Sequence, residues 1–200
     1  MGTNRKEPPT PARPVTSFYS DEELQELGLG SVGRGVLLSR HAQLYSSATI
    51  HLGDHTRVDD FCILSGNIRV GRYCHVAAGG YMFSGGAKIA LGDYVVLSSR
   101  VTIYAASDDF LGDSLMLNPS IRTPLRKTIE KDVILESFAS IGTNALLLPG
   151  ATLAEGTVLG AMSLLKKTTE PWSVYAGTPA VLVKPRSRKM KSLAQQFENA

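Results

Sequence analysis

Residues 133–165 read VILESFASIGTNALLLPGATLAEGTVLGAMSLL. Apolar side chains recur at every sixth position: Leu135, Ile141, Leu147, Leu153, Leu159 and Leu165. Four residues after each stands a small one, Ala139, Ala145, Ala151, Thr157, Ser163 and Thr169. The same period runs upstream through Leu52, Val58, Leu64, Val70, Val76 and Met82, with Thr56, Cys62, Cys74, Gly80 and Gly86 at the small position. Leu91, Leu97 and Ile103 continue it, and Val32, Leu38 and Leu44 precede it. A six-residue period fits neither a helical turn of about 3.6 residues nor a two-residue strand alternation. It fits a chain that turns a corner every six residues, with one large and one small side chain inward per face. Three such faces close a triangular coil of about 18 residues, and stacked coils bury a core that none could bury alone.

The interruptions carry information of their own. Two extra residues, Ile50 and His51, shift the frame before Leu52, and three more, 88–90, shift it before Leu91. The long break runs from Asp109 to about Val133 and includes the turn-rich text FLGDSLMLNPSIRTPLRKT. A break of this length in a compact domain is commonly functional, while a subunit-packing arm is the plainer alternative. Outside the repeats, residues 1–17 are proline-rich and read as a disordered tail. Ser20 and Glu23 form a capping box for a short helix within 18–30 that stops at Gly28. The solenoid is expected over 31–185, with an inserted loop at 109–133. A basic C-terminal tail or helix is expected over 186–200.

The 200-residue chain is 43% hydrophobic and 20% charged, which is ordinary for one globular domain. Nineteen glycines against 7% aromatics suit many tight turns. No apolar run approaches the ~18 residues of a membrane-spanning helix. The N-terminal text MGTNRKEPPTPARPV does not read as a secretory signal. Two cysteines make no disulfide scaffold, so a reducing cytoplasm is the expected location. A net charge of +3 gives no reason to expect nucleic acid as a partner.

The coils as a whole resemble the hexapeptide-repeat family, whose fold is a left-handed parallel β-helix; the handedness is the family's. The expected fold is therefore all-β, a left-handed parallel β-helix of hexapeptide repeats with a corner loop insertion and short terminal helices. The segments IGTNALLLPGATL, LGAMSLLKK and YAGTPA resemble the coenzyme-A-binding end of the family's sugar acetyltransferases. That resemblance implies acetyl-coenzyme A, or another acyl-coenzyme A, bound in a groove between solenoids of a homotrimer. Carried over by position, Thr143, Gly160, Ala161, Lys166, Lys167 and Lys184 fall where the family contacts the cofactor. Small residues let an extended ligand approach the backbone, and ammonium groups suit its phosphates. Plain hexapeptide packing is the alternative for Gly160 and Ala161, and solvation for Lys166 and Lys167.

The text VDDFCILSGNIRVGRYCHVAAG with SSRVTIYAASDDFLGDSL resembles acyltransferases that modify nucleotide-linked sugars for surface polysaccharides. Many O-acetyltransferases of the family place a catalytic histidine where this chain reads residues 104–109, and none stands here. His41, His51, His55 and His75 all lie upstream. A sugar hydroxyl needs a general base, whereas an amine titrating near pH 8 is already partly free to attack a thioester. The missing histidine thus favours N-acylation of an amino-deoxy sugar. O-acetylation and a non-enzymatic trimeric scaffold remain as alternatives.

Three residues are candidates for the chemistry. Ser84 sits in a widened Ser-Gly-Gly corner. Asp93 shares an outward column with Asp54, Arg72 and Ser137, where it either binds the substrate amine or pairs with Arg72. His75, outward at a corner, is the other candidate base or else an interface residue. His55, Tyr73, Tyr94 and Phe138 form an aromatic column that either stacks a nucleotide base or ties coils together. Asp108, Asp109 and Asp113 could orient a sugar hydroxyl or simply face solvent. His51 and His55 lack a suitably placed third histidine, and Cys62 and Cys74 read as core, so no metal is expected.

Overall fold

The computed structural model describes residues 17–199, apart from Leu117 and Pro119. The expected disordered tail lies outside these residues but for Ser17. A solenoid of about seven turns follows. Each turn contributes short parallel strands to three faces. The first face stacks Gln43–Tyr45, 63–65, 81–83, Thr102–Tyr104, Leu146–Leu147 and Leu164–Leu165. The second stacks Ser31–Val32, Ile50–Leu52, 68–70, 89–91, Val133–Leu135 and Thr152–Leu153. The third runs from Leu37–Leu38 through Arg57–Val58, His75–Val76, Val96–Leu97, Ser140–Ile141 and Val158–Leu159 to Ser173–Ala176. The strand Val181–Pro185 closes this face by folding back antiparallel.

The periodic apolar residues form the core: Leu64, Val76, Met82, Leu97, Ile103, Leu135, Leu147 and Leu153 are wholly buried. Thr56, Cys62 and Ser163 fill the small inward positions, as the spacing implies. Burial pushes the Cys62 and Cys74 thiols up to about 11 and about 12, so both stay protonated core groups. The polar residues among them are satisfied by backbone, as where Thr56 Oγ1 donates to the Gly71 carbonyl at 2.7 Å.

Register corrects where the extra residues lie. Ser65 pairs with Phe83 but Asn67 pairs with Lys88, so the three extra residues fall within 84–87 and not at 88–90. Ile89 is wholly buried in strand, whereas Gly85 and Gly86 are exposed and free to form the widened corner. Likewise the first shift is taken up by the 3-10 turn Ser47–Thr49, and Ile50 is core. The long break also begins earlier than its sequence suggests. Ala106–Asp108 and Thr128–Glu130 form an antiparallel hairpin, and Val133 is already buried in the next coil. Leu91 pairs with Leu135, so the coils resume in register across the excursion.

The N-terminal helix covers the first coil, and the C-terminal helix folds back along one corner. Helix α1, Asp21–Glu26, is capped as expected: the Glu23 N–H donates to Ser20 Oγ at 3.3 Å and the Ser20 N–H to Glu23 Oε2 at 2.7 Å. Its Leu24 is 2% exposed and seals the first coil. The Arg40 guanidinium, with the Ser20 backbone, holds the Glu23 carboxyl down to about 2. That tie is whole above the usual glutamate range and is lost as pH falls towards about 2. Helix α2, Lys189–Glu198, is not a free basic tail. It lies back on the solenoid, with Phe197 edge-on to Tyr73 at 5.3 Å and Lys191 bonded to Glu155 at 2.7 Å.

Candidate functional site

Three corners run the length of the solenoid, and each gathers a different set of candidates. The corner between the first and second faces holds Ser84 and the excursion. Ser84 is wholly buried; its hydroxyl accepts the Asn67 N–H at 2.8 Å and donates to the Gly85 carbonyl at 3.1 Å. A Cβ at Gly66, where φ is +93°, would lie 2.1 Å from that hydroxyl, so glycine one coil below makes the space Ser84 occupies. The excursion is latched to the same turn, because the Gly86 N–H donates to Glu130 Oε1 at 2.8 Å.

Above this turn lies a concavity of about 460 Å³. Its walls include Tyr104, Ala106, Phe110, Leu146 and Leu148, with Ser107, Asp108 and Thr128. The Phe83 ring stacks on Tyr104 at 5.1 Å, and a Cβ at Gly85 would lie 2.4 Å from the Ala106 methyl. The pocket thus abuts the Ser84 turn directly. Asp109 is buried beside it and is held by the Leu111 N–H at 3.0 Å and the Ser114 hydroxyl at 3.4 Å.

The corner between the second and third faces holds Asp93. Its Oδ1 accepts the Arg72 N–H at 2.7 Å and its Oδ2 the Arg72 guanidinium at 2.9 Å. Asp54 meets Arg34 in the same way, at 2.9 and 3.2 Å, so this pairing ties successive coils at two levels. Beside it the rings of His55, Tyr73, Tyr94 and Phe138 stack at 5.1 Å, all in left-handed backbone. Helix α2 covers the column: Glu198 Oε1 accepts the Tyr94 hydroxyl at 2.7 Å and faces Arg72 at 3.4 Å. Burial and this carboxylate push the Tyr94 phenol up to about 12. The column is therefore occupied by the chain's own helix.

His75 stands on the third face, its Nε2 at 2.9 Å from Asp59 Oδ2. Arg57 Nε also donates to Asp59, at 2.6 Å. Burial opposes ionisation of Asp59, but these two partners hold its carboxyl below the usual range. Ser84, Asp93 and His75 thus occupy different parts of the triangle, and one chain does not bring them together.

Among the cofactor candidates, Thr143, Gly160 and Ala161 share the third corner on adjacent coils, where the Met162 N–H donates to the Thr143 carbonyl at 2.9 Å. The Thr143 hydroxyl donates to the Ser99 carbonyl at 2.7 Å. Gly142 beneath them has no room for a Cβ, which would lie 2.4 Å from the Ala161 nitrogen. Lys166 and Lys167 emerge exposed at the first corner, and Lys184 is exposed on the returning strand of the third face. Among the described residues no group of three His, Cys, Asp or Glu side chains is placed to hold a metal.

Of the pocket's lining, sequence reasoning singled out Asp108 alone, and it missed the other walls and the Glu130 latch. A signal for the former exists. Leu147 is the inward residue of its face, so Leu146 and Leu148 place two further leucines at its outward-facing neighbours, where a solvated face would carry polar groups. Nothing periodic signals Glu130, which reaches Gly86 across 44 positions of chain.

Hexapeptide coils interrupted by one long excursion, latched beside a glycine-rich turn and an apolar pocket, define a hexapeptide-repeat acyltransferase. No family model matches the chain. It is 34% identical over 184 residues to the dTDP-4-amino-4,6-dideoxy-D-glucose acyltransferase of Escherichia coli, covering 90% of this chain and 95% of that one. AntD, an N-acyltransferase from Bacillus cereus solved with dTDP and 3-hydroxybutyryl-CoA, superposes with a TM-score of 0.89 at 39% identity, covering 92% of this chain and 98% of AntD. A hexapeptide-repeat acetyltransferase from Vibrio cholerae shares the fold at 23% identity and a TM-score of 0.55. The chain belongs to the hexapeptide-repeat acyltransferase family, in the branch that holds these nucleotide-aminosugar N-acyltransferases.

Proposed function

We propose that this protein transfers an acyl group from a coenzyme A thioester to the amine of dTDP-4-amino-4,6-dideoxyglucose. The likeness to the Escherichia coli enzyme along nearly the whole of both chains carries this reading. A point mutant of AntD has also been solved with that amino sugar and coenzyme A. The histidines support an amine acceptor. All four precede the excursion and have partners elsewhere: His41 against Phe61, His51 with Ser31, His55 in the ring column and His75 with Asp59. Within one chain no histidine lines the pocket, so no imidazole of the same chain faces a hydroxyl there.

The step balances without a strong base. The neutral amine attacks the thioester carbonyl carbon, the C–N bond forms and the C–S bond breaks. The coenzyme A thiolate leaves and takes up the proton that the nitrogen loses. Ser84 and Asp93 hydrogen-bond the amine in this proposal, and His75 is the alternative base. Thr143, Gly160 and Ala161 lie along the pantetheine, while Lys166, Lys167 and Lys184 meet phosphate. Their spread over three parts of the solenoid suits a groove shared between chains of a homotrimer, in which separate corners of neighbouring molecules meet. Two buried free thiols and two metabolite co-substrates fit a cytoplasmic location.

A pH profile tests the chemistry. With a free amine as nucleophile, kcat/KM rises about tenfold per pH unit and levels off near the substrate amine's own pKa, about 8. An acceptor with a less basic amine should move the limb down. A limb fixed near 6.5, the usual histidine range, and abolished by His75→Gln would assign the base to His75 instead.

A further inference from the structure

We propose that Glu130 is a positioning residue for acyl transfer: its carboxylate fixes the widened turn 84–87 against the hairpin that walls the pocket. This rests on the acyltransferase reading above and adds a residue that acts through the backbone and touches no substrate. The strand register passes over this turn, since Ser65 pairs with Phe83 and Asn67 with Lys88. Residues 84–87 are therefore held by other bonds. Ser84 secures one end, where its hydroxyl accepts the Asn67 N–H at 2.8 Å. Two residues further on, Glu130 Oε1 accepts the Gly86 N–H at 2.8 Å. Gly85 and Gly86 are exposed, and Gly85 lies at φ +58°, so their own side chains give the turn no stiffness.

The fit between turn and hairpin is close on both sides. Ala106 and Glu130 are directly opposed in the hairpin, so their side chains share one face. A Cβ at Gly86 would lie 2.5 Å from Glu130 Oε2, and one at Gly85 would lie 3.2 Å from Oε1 and against the Ala106 methyl. The paired glycines thus clear the space that this hairpin face fills. The same hairpin gives Ala106, Ser107, Asp108 and Thr128 to the pocket, so a shift of hairpin against turn reshapes it. A displacement of about 1 Å near a reacting centre costs about a hundredfold in rate. Asp132 supplies the contrast. Its Oδ1 accepts the Lys88 N–H at 2.9 Å, but Lys88 is already fixed by its pairing with Asn67. Glu130 itself is exposed, so its truncation removes nothing from the core.

The test compares the native enzyme with Glu130→Ala, Glu130→Gln and Asp132→Ala, reading kcat, the KM of each substrate and thermal unfolding. The acceptor is dTDP-4-amino-4,6-dideoxyglucose, and the donor is acetyl- or 3-hydroxybutyryl-coenzyme A, whichever turns over faster. Glu130→Ala should lower kcat by about tenfold to a hundredfold, as the turn loses its place. Its Tm should fall by no more than about 4 °C. The thioester KM should stay within about twofold of native, since Thr143, Gly160 and Ala161 lie at another corner. Glu130→Gln keeps an acceptor oxygen for the Gly86 N–H and should bring kcat back to within about threefold of native. Asp132→Ala should leave kcat close to native. An unchanged kcat in Glu130→Ala would overturn the proposal. Glu130→Gln as impaired as Glu130→Ala would also do so, because the charge and not the bond to Gly86 would then matter. Equal losses in Glu130→Ala and Asp132→Ala would do the same, by reducing the effect to general anchoring of the excursion. Absence of transfer by the native enzyme from both thioesters would overturn it together with the acyltransferase reading, which the other outcomes leave standing.

Discussion

Excising residues 109–127 and joining Asp108 to Thr128 through Asn-Gly is expected to lower kcat/KM by about two orders of magnitude while the solenoid stays folded. Asp108 pairs with Thr128 in the hairpin, so the cut ends are already opposed at the spacing a two-residue turn closes. Asn-Gly favours the type I′ geometry that matches strand twist. Of the described residues removed only Asp109 is buried, while Phe110 is 77% and Leu111 89% exposed. The coils on either side also pair directly, through Leu91 and Leu135. Thermal unfolding should therefore move by only a few degrees. Activity should not survive as well, because the cut opens the pocket to water and removes the Phe110 wall. Loss of positioning at a reacting centre is worth about a hundredfold or more. Activity within fivefold of the intact chain would place the reaction away from the excursion.

The second large effect concerns stability and arises at Gly66. Gly66→Ala should destabilise by about 3 kcal/mol, combining about 1 kcal/mol for an L side chain at positive φ with the disturbed Ser84 hydrogen bond. For a chain of this size that lowers Tm by roughly 10 °C at fixed protein concentration. The physical cause is specific, since the new methyl would lie 2.1 Å from the Ser84 hydroxyl. Ser84→Ala removes that obstacle and leaves the methyl facing the Ser84 Cβ at 3.3 Å. It also leaves the Asn67 N–H without its acceptor, which costs about 1–2 kcal/mol. The double variant should be less destabilised than the sum of the two by about 1 kcal/mol or more. Strict additivity would show that the two residues do not compete for the same space.

The six-residue period made the coils legible because each face repeats one inward requirement, and Leu135 through Leu165 meet it without interruption. It located the second-face column as well: Asp54, Arg72, Asp93 and Ser137 do stack outward, and Asp93 does meet Arg72. Where the period breaks, sequence fixes how many residues are extra but not which ones leave the strand. That choice follows burial and backbone freedom: Ile89 stays in and Gly85 and Gly86 swing out. The same limit applies to the site. The Ser-Gly-Gly turn stood out as a widened corner, but the pocket above it depends on a hairpin returning from Thr128–Glu130. Such an antiparallel return has no period to betray it. The aromatic column was legible as a stack, while its cover was not, because nothing in residues 189–198 specifies which corner the helix will meet.

N-acylation is tested by coenzyme A thiol release with matched acceptors: dTDP-4-amino-4,6-dideoxyglucose and the same nucleotide sugar with a hydroxyl in place of the amine. Turnover is expected with the amine and at least about a thousandfold less with the hydroxyl, whose attack lacks the general base it needs. Comparable turnover with the hydroxyl would contradict it, since a competent base would then have to act in this site.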